Sequence, residues 1–460
     1  ASRGFAGSPY VMQSNGGVDS LQAAARTPIT MIESGPSSGV RGAAELGALI
    51  GDRNIIALDI GGTTAKCSLI DRGNIRIVSD YWIGRDGRSA GYPVMVPVVD
   101  MVEIGNGGGS IAWVDDFGKL HVGPRSAGAV PGPAAYGMGG ADATTTDANL
   151  WLGRINRDYF CGGELEADMD AVEAALREVG GRLGMGPDQA AAGIVRIANN
   201  NMVNALKLVS LNRGFDPREF TLVAFGGGGG MHAVALAAEL GIAKVVIPAD
   251  AAVFSAWGMM ISDLRRDYIA THLADLVPEH ARAIEHVLAE TEAAAQAQFG
   301  REGVAPERLS FRRFGRFRYQ NQEHTTEVAL GEGAVTADRV GEIRSAFERE
   351  YEREYTYRLD APVEMVGIHV TATATVGRVQ MERQEPGPES VAGAHKGARR
   401  VDFAPEGVFE TAIYDGAGLR PGMRFSGPAI VEHPASTVVV HRGNDVRVDG
   451  YGNVAIHTHS

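Results

Sequence analysis

The sequence predicts an α/β protein that is followed by a C-terminal α+β domain. Short apolar runs are interrupted by glycine clusters at residues 61–62, 107–109 and 226–230, and helical patterns separate the later clusters. Near residue 270 the pattern changes to charged amphipathic helices at 278–300 and 339–356, with β-rich segments between and after them. These observations divide the chain near residue 270 into two parts with separate cores.

Composition narrows the class of function. The 460 residues carry a net charge of −13, which argues against a nucleic-acid-binding face because such faces need clustered Lys and Arg. Cys67 and Cys161 are the only cysteines, so we expect no disulfide framework and a reducing compartment, the cytoplasm. No apolar run approaches the roughly 20 residues of a membrane span, so no membrane partner is expected.

The first elements are short. An apolar strand is predicted after Pro28, and it ends in a Ser-Gly-Pro turn at residues 33–39. An Ala-rich helix is predicted over residues 40–50. A strand, a turn and a helix in this order can bind an anion at the helix N-terminus, or can simply start a helix.

Residues 55–70 contain the first glycine turn. Strands at 55–60 and 65–71 predict a β-hairpin whose turn holds Gly61, Gly62, Thr63 and Thr64. Glycine lets backbone N–H groups approach a phosphate, and the two hydroxyls add donors. Asp59 can hold Mg²⁺ or orient a nucleophile. The alternative is an ordinary glycine turn that Asp59 caps. A third strand over 74–82 would extend the hairpin to an antiparallel meander.

Two carboxylates precede the second glycine cluster. Asp100 and Glu103 interrupt an apolar run, and burying them is costly unless they pair or bind a cation. Both are therefore candidate metal ligands, and Asp100 is also a candidate catalytic group. One or both can instead face solvent at a strand end. The cluster itself, Gly107, Gly108 and Gly109, predicts a second backbone loop for the nucleotide.

The segment from 122 to 154 is rich in turn formers and predicts a long ordered loop. Asp147 near its end is a candidate metal ligand, and its alternative role is the N-cap of a helix at 148–153. Helices are predicted next at 166–182 and 187–212.

The third glycine cluster follows a strand and leads into a helix. We predict that Gly226, Gly227, Gly228 and Gly229 hold a base or ribose on bare backbone, since five consecutive glycines are entropically costly for structure alone. His232 is a candidate catalytic base or phosphate contact. A histidine with only a capping role is the alternative.

These loops, in this order, resemble the nucleotide cleft of the actin, Hsp70 and sugar kinase superfamily. More narrowly, six motifs resemble the hydantoinase A / 5-oxoprolinase family: residues 58–64, 103–112, 126–133, 146–154, 225–233 and 427–432. The resemblance implies an RNase H-like (actin-like ATPase) domain. It implies that residues 1–50 are the tail of a first RNase H-like half, 51–270 the second, nucleotide-binding half, and 271–460 the C-terminal α+β domain.

The resemblance also implies a reaction. ATP, with Mg²⁺ or another divalent metal, would phosphorylate the carbonyl oxygen of a cyclic amide such as hydantoin, 5-oxoproline or a lactam. The ring is then opened by hydrolysis with a hydantoinase B-like partner in a hetero-oligomer. An ATP-dependent ketone carboxylase subunit, or a nucleotide-binding module without chemistry, is the alternative. Two departures affect the substrate: Lys66 and Val130 stand where many members carry Asp.

Overall fold

The fold is described from a computed structural model, which covers residues 9–79, 81–84, 89–94, 96–377, 379 and 381–459. Most of the predicted segment 1–50 is thus included, whereas its first eight residues and residue 80 of the predicted strand 74–82 lie outside the described residues. Helices α1 to α9 are, in order, Leu21–Arg26, Ser34–Ile50, Thr145–Trp151, Met169–Leu183, Pro187–Val209, Gly229–Leu240, Phe254–Met260, Ala281–Arg301 and Val340–Tyr355.

Twenty-five strands are described. β1 to β12 are Tyr10–Met12, Val18–Ser20, Ile55–Ile60, Ala65–Asp71, Asn74–Ile75, Ile77–Val78, Tyr81–Ile83, Tyr92–Val94, Val98–Val99, Val102–Ile104, Ser110–Val114 and Leu120–Ser126. β13 to β25 are Thr221–Phe225, Lys244–Ile247, Leu264–Asp275, Leu309–Tyr319, Thr326–Ala329, Val363–Ala374, His395–Asp402, Val408–Asp415, Arg424–Ser426, Ala429–His433, Ser436–Val440, Asp445–Val448 and Val454–His457.

The largest sheet has the order β10-β4-β3-β13-β14-β25-β24-β21, with β5 paired to β4. Its central strands β3, β13 and β14 are parallel and almost wholly buried, as their continuous apolar sequences predict. The last strands of the chain extend this sheet, because β25 pairs with β14. Helices cover this sheet. Because β3 and β13 are parallel, their carboxyl ends lie at the same edge of the sheet.

A second sheet, in the order β1-β2-β15-β18-β16-β17, belongs mainly to the C-terminal part. Helices α8 and α9 contribute Ile284, Leu288 and Phe347 to its core. Strands β19, β20, β22 and β23 form a smaller third sheet. The chain thus exchanges strands between its parts at both ends, and the domain boundaries at residues 50 and 270 stay a prediction.

Three predictions from the sequence differ from the structure, wholly or in part. Residues 28–31 form a 3₁₀ turn instead of a strand, and α2 begins at Ser34, inside the predicted turn. The hydroxyls of Ser37 and Ser38 donate to the carbonyls of Glu33 and Gly35, which lets small polar residues occupy the first helical turns. The predicted meander is present only at its start, where β5 pairs antiparallel with β4, because β10 continues along β4 whereas β6 and β7 pair with β9 and β8.

Candidate functional site

The first two glycine clusters form one connected pair of loops. The predicted hairpin is confirmed, with Asp59 opposite Lys66 and its turn closed by the Gly61 N–H donating to the Thr64 carbonyl. Gly108 N–H donates to the Gly61 carbonyl at 3.0 Å, and Gly109 N–H donates to the Gly62 carbonyl at 2.6 Å. Residues 61–63 remain exposed. The turn therefore presents exposed backbone and hydroxyl groups, and the loop at residues 107–109 supports it through hydrogen bonds.

Glycine is needed where these loops meet. A Cβ on Gly107 would lie 2.6 Å from the Gly61 carbonyl oxygen, a distance that real Cβ atoms do not tolerate. The two loops lie more than forty residues apart in the sequence. Their close approach gives the second glycine cluster a packing role in addition to its predicted role in ligand binding.

The third cluster meets the same turn from the neighbouring strand. β13 is parallel to β3 with Phe225 opposite Asp59, so Gly226 follows at the same edge. Gly226 has a φ of 76°, and a Cβ there would overlap the Asp59 carboxylate. Gly228 N–H donates to the Ile60 carbonyl at 2.9 Å and Gly228 is the N-cap of α6. All three glycine loops therefore converge beside Asp59.

The members of the third cluster differ in their surroundings. Gly227 is exposed, and Gly226 and Gly228 are partly exposed, so their backbone is accessible from the cleft. Gly229 is buried in the first turn of α6, where a Cβ would lie 3.0 Å from the backbone of Ala224. The packing of α6 on β13 thus accounts for Gly229, and its predicted nucleotide contact stays a prediction.

Asp59 is the carboxylate at the centre of this arrangement. Burial raises its pKa, and the nearby Lys66 ammonium lowers it in part. Among the residues that the structure describes, no side chain or backbone group donates a hydrogen bond to the Asp59 carboxylate. A partly buried carboxylate without a donor is unusual, because desolvation is normally offset by hydrogen bonds. The position is suited to a cation or to a proton donor from a ligand.

The structure does not bring Asp100 into contact with Asp59. Arg213 holds the Asp100 carboxylate through both guanidinium nitrogens, one of them at 2.9 Å, and Arg76 lies 3.5 Å away. Glu103 lies on β10, which β4 separates from the strand of Asp59, and its carboxylate is 3.4 Å from the Lys66 ammonium. Both carboxylates line a cavity of about 990 Å³, together with Glu33 and Lys66. Ion pairs therefore account for the burial of Asp100, whereas Glu103 is exposed, in agreement with the alternative that one of the two carboxylates faces solvent.

Asp147 takes part in capping α3, although as the third helical residue of the capping box and not as the N-cap that was its predicted alternative role. Its side chain is fully buried and accepts four hydrogen bonds: 2.8 and 2.7 Å from the N–H and hydroxyl of Thr144, and 3.2 and 2.8 Å from the N–H groups of Ala134 and Ala135. Thr144 is the N-cap of α3, one turn earlier than predicted. These donors use the carboxylate fully, so we do not retain Asp147 as a proposed ligand.

His232 is buried in the first turns of α6. Its side chain is 3% exposed, and Nδ1 lies 2.7 Å from the Asn199 side-chain oxygen on α5. Burial, together with the positive charge of Arg154, lowers the pKa of His232 to about 3, so the ring is neutral. This geometry favours a structural link between α5 and α6 over a solvent-accessible base.

The four predicted metal ligands do not form one cluster. In the described part of the chain, no three His, Cys, Asp or Glu side chains lie close enough together to hold a metal ion. Among these four carboxylates, only that of Asp59 has neither a hydrogen-bond donor nor an ion-pair partner in the described part of the chain. A magnesium ion bound by Asp59 would need oxygen ligands from a nucleotide and water, which is how Mg²⁺ is commonly held.

Sequence reasoning missed several residues that support the loops. The Thr146 hydroxyl and N–H both donate to the Gly108 carbonyl, at 2.9 and 2.8 Å. Lys66 forms an ion pair with Glu33 at 2.5 Å. The neighbouring helix start could have suggested Thr146, whereas the partners of Lys66 and Asp100 are far apart in sequence and no local pattern signals them.

None of the helices in the described ranges combines the length and apolar composition of a membrane span. The family model described as hydantoinase/oxoprolinase matches residues 1–268, and that of the hydantoinase/oxoprolinase C-terminal domain matches residues 274–457.

Among curated relatives, caprolactamase subunit alpha of Pseudomonas jessenii is 31% identical over 95% of this chain and 63% of its own length. Acetone carboxylase beta subunit of Xanthobacter autotrophicus is 30% identical over 96% of this chain and 62% of its own length. The crystal structure of ATP-dependent caprolactamase from Pseudomonas jessenii matches with a TM-score of 0.87 and 30% identity, over 97% of this chain and 64% of that chain. The chain spans less than two thirds of the length of these relatives.

These likenesses confirm the predicted fold class, an α/β RNase H-like (actin-like ATPase) domain with a C-terminal α+β domain. They also agree with the motifs at the three glycine loops, which lie inside the first matched region. The chain belongs to the hydantoinase/oxoprolinase family.

Proposed function

We propose that this protein binds ATP at the three glycine loops and uses it to open a cyclic amide. The observation that carries the proposal is the Asp59 carboxylate, which lies between the loops and has no hydrogen-bond donor among the described residues. ATP supplies the phosphoryl group. In this proposal the exposed backbone of residues 61–63 and the hydroxyls of Thr63 and Thr64 bind its phosphates.

The residues present fit a nucleotide with its metal ion. Gly226 has no Cβ where one would collide with Asp59, so the strand end stays open. Asp59 would hold Mg²⁺ together with the nucleotide phosphates, since one carboxylate suffices for that kind of site. The partly exposed backbone at residues 226–228 would lie against the adenosine. The charge of Lys66 beside Asp59 keeps that carboxylate ionised more readily than burial alone would allow.

A stable amide needs activation before water can attack it. Transfer of the γ-phosphoryl group to the carbonyl oxygen breaks the bond to ADP and makes that oxygen a leaving group. The relative named caprolactamase supports a cyclic amide as the acceptor. We propose a hydantoinase B-like partner subunit for the hydrolytic step, in keeping with relatives that are named as subunits.

A second candidate is ATP-dependent carboxylation of a ketone. It is favoured by the likeness to acetone carboxylase beta subunit, which is nearly as similar as the caprolactamase subunit. There the phosphoryl group would go to an enol oxygen and bicarbonate would supply the carboxyl group. The same cleft serves both reactions, so the acceptor distinguishes them.

The test is Mg·ATP hydrolysis by the protein mixed with its partner subunit, across cyclic amides and across ketones with bicarbonate. Turnover that depends on a cyclic amide supports the proposal, and turnover that needs a ketone and bicarbonate supports the second candidate. A lactam labelled with ¹⁸O in its carbonyl should transfer the label to inorganic phosphate. ATP binding without turnover under every condition would indicate a module without chemistry.

A matched pair of variants connects turnover with the site. Asp59→Asn removes the free carboxylate, whereas Asp158→Asn makes the same change at an exposed residue outside the loops. We expect only Asp59→Asn to lower turnover strongly. Equal activity in the two variants would contradict the assignment of the site.

A further inference from the structure

A cavity of about 400 Å³ lies between the large sheet and the C-terminal sheet, next to the larger cavity already described. We call it the arginine cavity, because its lining includes Arg76, Arg213, Arg265, Arg312, Arg316, Arg349 and Arg353. Seven guanidinium groups around so small a volume repel one another unless carboxylates or a bound anion compensate them.

Carboxylates compensate four of these arginines. Arg213 and Arg76 share Asp100, and Arg76 also lies 2.7 Å from Glu354. Arg265 is 3.0 Å from the buried Asp267. Arg353 is paired with Glu350 through both terminal nitrogens. The charges of these four arginines are therefore balanced by carboxylates and do not need a bound anion.

The other three arginines differ. Within the described residues, none of Arg312, Arg316 and Arg349 lies within 4.0 Å of a carboxylate oxygen. Arg312 donates to the Asn74 side-chain oxygen at 2.9 Å, and Arg316 donates to the Thr325 hydroxyl at 3.4 Å, so both have neutral partners. Desolvation and the like charge of Arg265 lower the pKa of the Arg312 guanidinium, as expected in an electropositive environment.

One nearby carboxylate is already neutralised. Glu327 lines the cavity, but His369 Nδ1 lies 3.0 Å from it while Nε2 lies 2.8 Å from Asp267. Burial alone would lower the pKa of His369, but the hydrogen bonds to Asp267 and Glu327 raise it to about 9. The ring is therefore an imidazolium at neutral pH, and it engages the charge of Glu327 that the arginines would otherwise use.

Two of these three arginines, Arg312 and Arg316, lie before and after an aromatic residue on one strand. Arg312, Phe314 and Arg316 alternate along β16 and so share one face of the strand. The Arg312 guanidinium is 5.2 Å from the centre of the Phe314 ring, which also stacks on His369. Each arginine is two positions along the strand from Phe314, which corresponds to a Cα–Cα spacing of about 7 Å by the usual rise per residue. The surface is thus cationic, then apolar, then cationic.

We propose that the arginine cavity binds a small organic anion whose carboxylate or phosphate groups pair with Arg312 and Arg316 and whose apolar body lies on Phe314. Guanidinium groups suit both acids, because their planar forks bind carboxylate and phosphate oxygens in pairs. The site differs from the glycine loops in its residues and in its ligand. Its occupation is measured as binding, so it stands or falls separately from ATP turnover.

Adipate, hexyl phosphate and 1,6-hexanediol are the probes, titrated calorimetrically into the protein at low ionic strength. Binding of adipate identifies a carboxylate ligand, and binding of hexyl phosphate alone identifies a phosphate ligand; either supports the site, while the neutral diol should not bind. The double variant Arg312→Gln, Arg316→Gln should weaken binding at least tenfold. Arg282→Gln, which removes the same charge from an exposed position on α8, should leave it unchanged.

A labelling experiment keeps the test decisive if the double variant does not fold. Phenylglyoxal modifies accessible arginines, and mass spectrometry of the wild-type protein locates the modified residues. Protection of Arg312 and Arg316 by adipate or hexyl phosphate, without protection of Arg282, supports the site. Binding of neither anion, or binding without protection of these two arginines, would overturn it.

Discussion

Asp59 combines burial with a lack of donors, and this combination has a cost. Because burial raises its pKa, the ionised carboxylate destabilises the folded protein relative to a normally solvated one. Active sites often retain such groups at the expense of stability. The charge is retained here beside three loops that would be sterically suited to a nucleotide.

Asp59→Asn should therefore separate activity from stability. We expect ATP turnover to fall on the order of 100-fold or more, as for loss of a group that binds developing charge. The melting temperature should stay the same or rise, since a neutral amide avoids the desolvation of a carboxylate. Turnover assays and calorimetric melting check both parts. A strongly lowered melting temperature would show that the carboxylate is structural.

The raised pKa also predicts a pH dependence. If the ionised form of Asp59 is required, activity is lost as pH falls through its folded-state pKa, which is above the ordinary value for Asp. The acidic limb of a profile of kcat/KM against pH should consequently lie at a higher pH than a solvated Asp would give. Persistence of the same limb in the residual activity of Asp59→Asn would show that another group titrates.

Gly226→Ala tests the close approach that keeps the cleft open. The position requires a φ of 76°, and a methyl group would overlap the Asp59 carboxylate. We expect a loss of stability of about 2 kcal/mol and at least tenfold weaker ATP binding.

The control for Gly226→Ala is Gly181→Ala in α4, where a Cβ meets nothing within 4 Å. Helix propensity predicts that this control gains about 0.5–1 kcal/mol. Urea unfolding and nucleotide titration compare the two. Similar behaviour of both variants would contradict a special role for Gly226.

The helix start at Thr144 shows how one capping residue can organise a long loop. Asp147 closes the capping box of α3 and also accepts from Ala134 and Ala135, which belong to the turn-rich segment before it. The same carboxylate thus ties the loop to α3, and α3 in turn holds Gly108 through Thr146. Support for the second glycine loop is therefore indirect and lies in the helix.

Asp147→Asn should accordingly be costly. An amide cannot accept from all four donors, and leaving buried donors unpaired costs about 3 kcal/mol. Asp168→Asn is the matched control, because Asp168 is an exposed N-cap that accepts from one N–H and Asn caps helices equally well. Urea midpoints measure the difference. If a chelator lowered the stability of the wild-type protein to that of Asp147→Asn, Asp147 would be a metal ligand instead.

Elements with a strong local signal were predicted well. The hairpin at residues 55–71, the strand before Gly226 and helices α8 and α9 follow from apolar periodicity and turn residues. The start of α2 was missed because Ser and Gly have low helix propensity, and here the hydroxyl hydrogen bonds of Ser37 and Ser38 compensate. Strands β6 and β7 were predicted to pair with the wrong neighbours, since pairing depends on segments distant in sequence.

The same limit applies to the site. Glycine clusters and Asp59 could be found from the sequence, because each is a local departure from an ordinary strand. The ion pair of Asp100 with Arg213 and the hydrogen bond of His232 with Asn199 could not, because each joins residues that only the fold brings together. The interruption of an apolar run thus identified Asp100 as a buried charge without showing its partner, but the same signal also singled out Glu103, which is exposed.

Long-range charge pairing also links the two ends of the molecule. Asp267 on β15 is fully buried and accepts hydrogen bonds from Asn15, Thr371 and His369 as well as from Arg265. Asn15 follows β1, so the group joins the N-terminal strands to the C-terminal sheet. Opposite charges around the Asp267 carboxylate hold its pKa well below the ordinary value despite its burial.

His369 makes the stability of this junction depend on pH. Its folded-state pKa of about 9 is above the ordinary value of 6.5, so the imidazolium contributes stability that is fully present below about pH 6.5 and is lost as pH rises through about 9. We expect the free energy of unfolding to fall by roughly 2 kcal/mol between pH 7 and 9.5 on this account. His369→Gln should be less stable at pH 7 and should lack this part of the decline. Urea unfolding of both proteins across that range measures the difference, in which other alkaline titrations such as that of the Cys67 thiol cancel. Parallel curves would show that His369 is neutral, and the charge compensation of Glu327 in the arginine cavity would then have to come from an arginine.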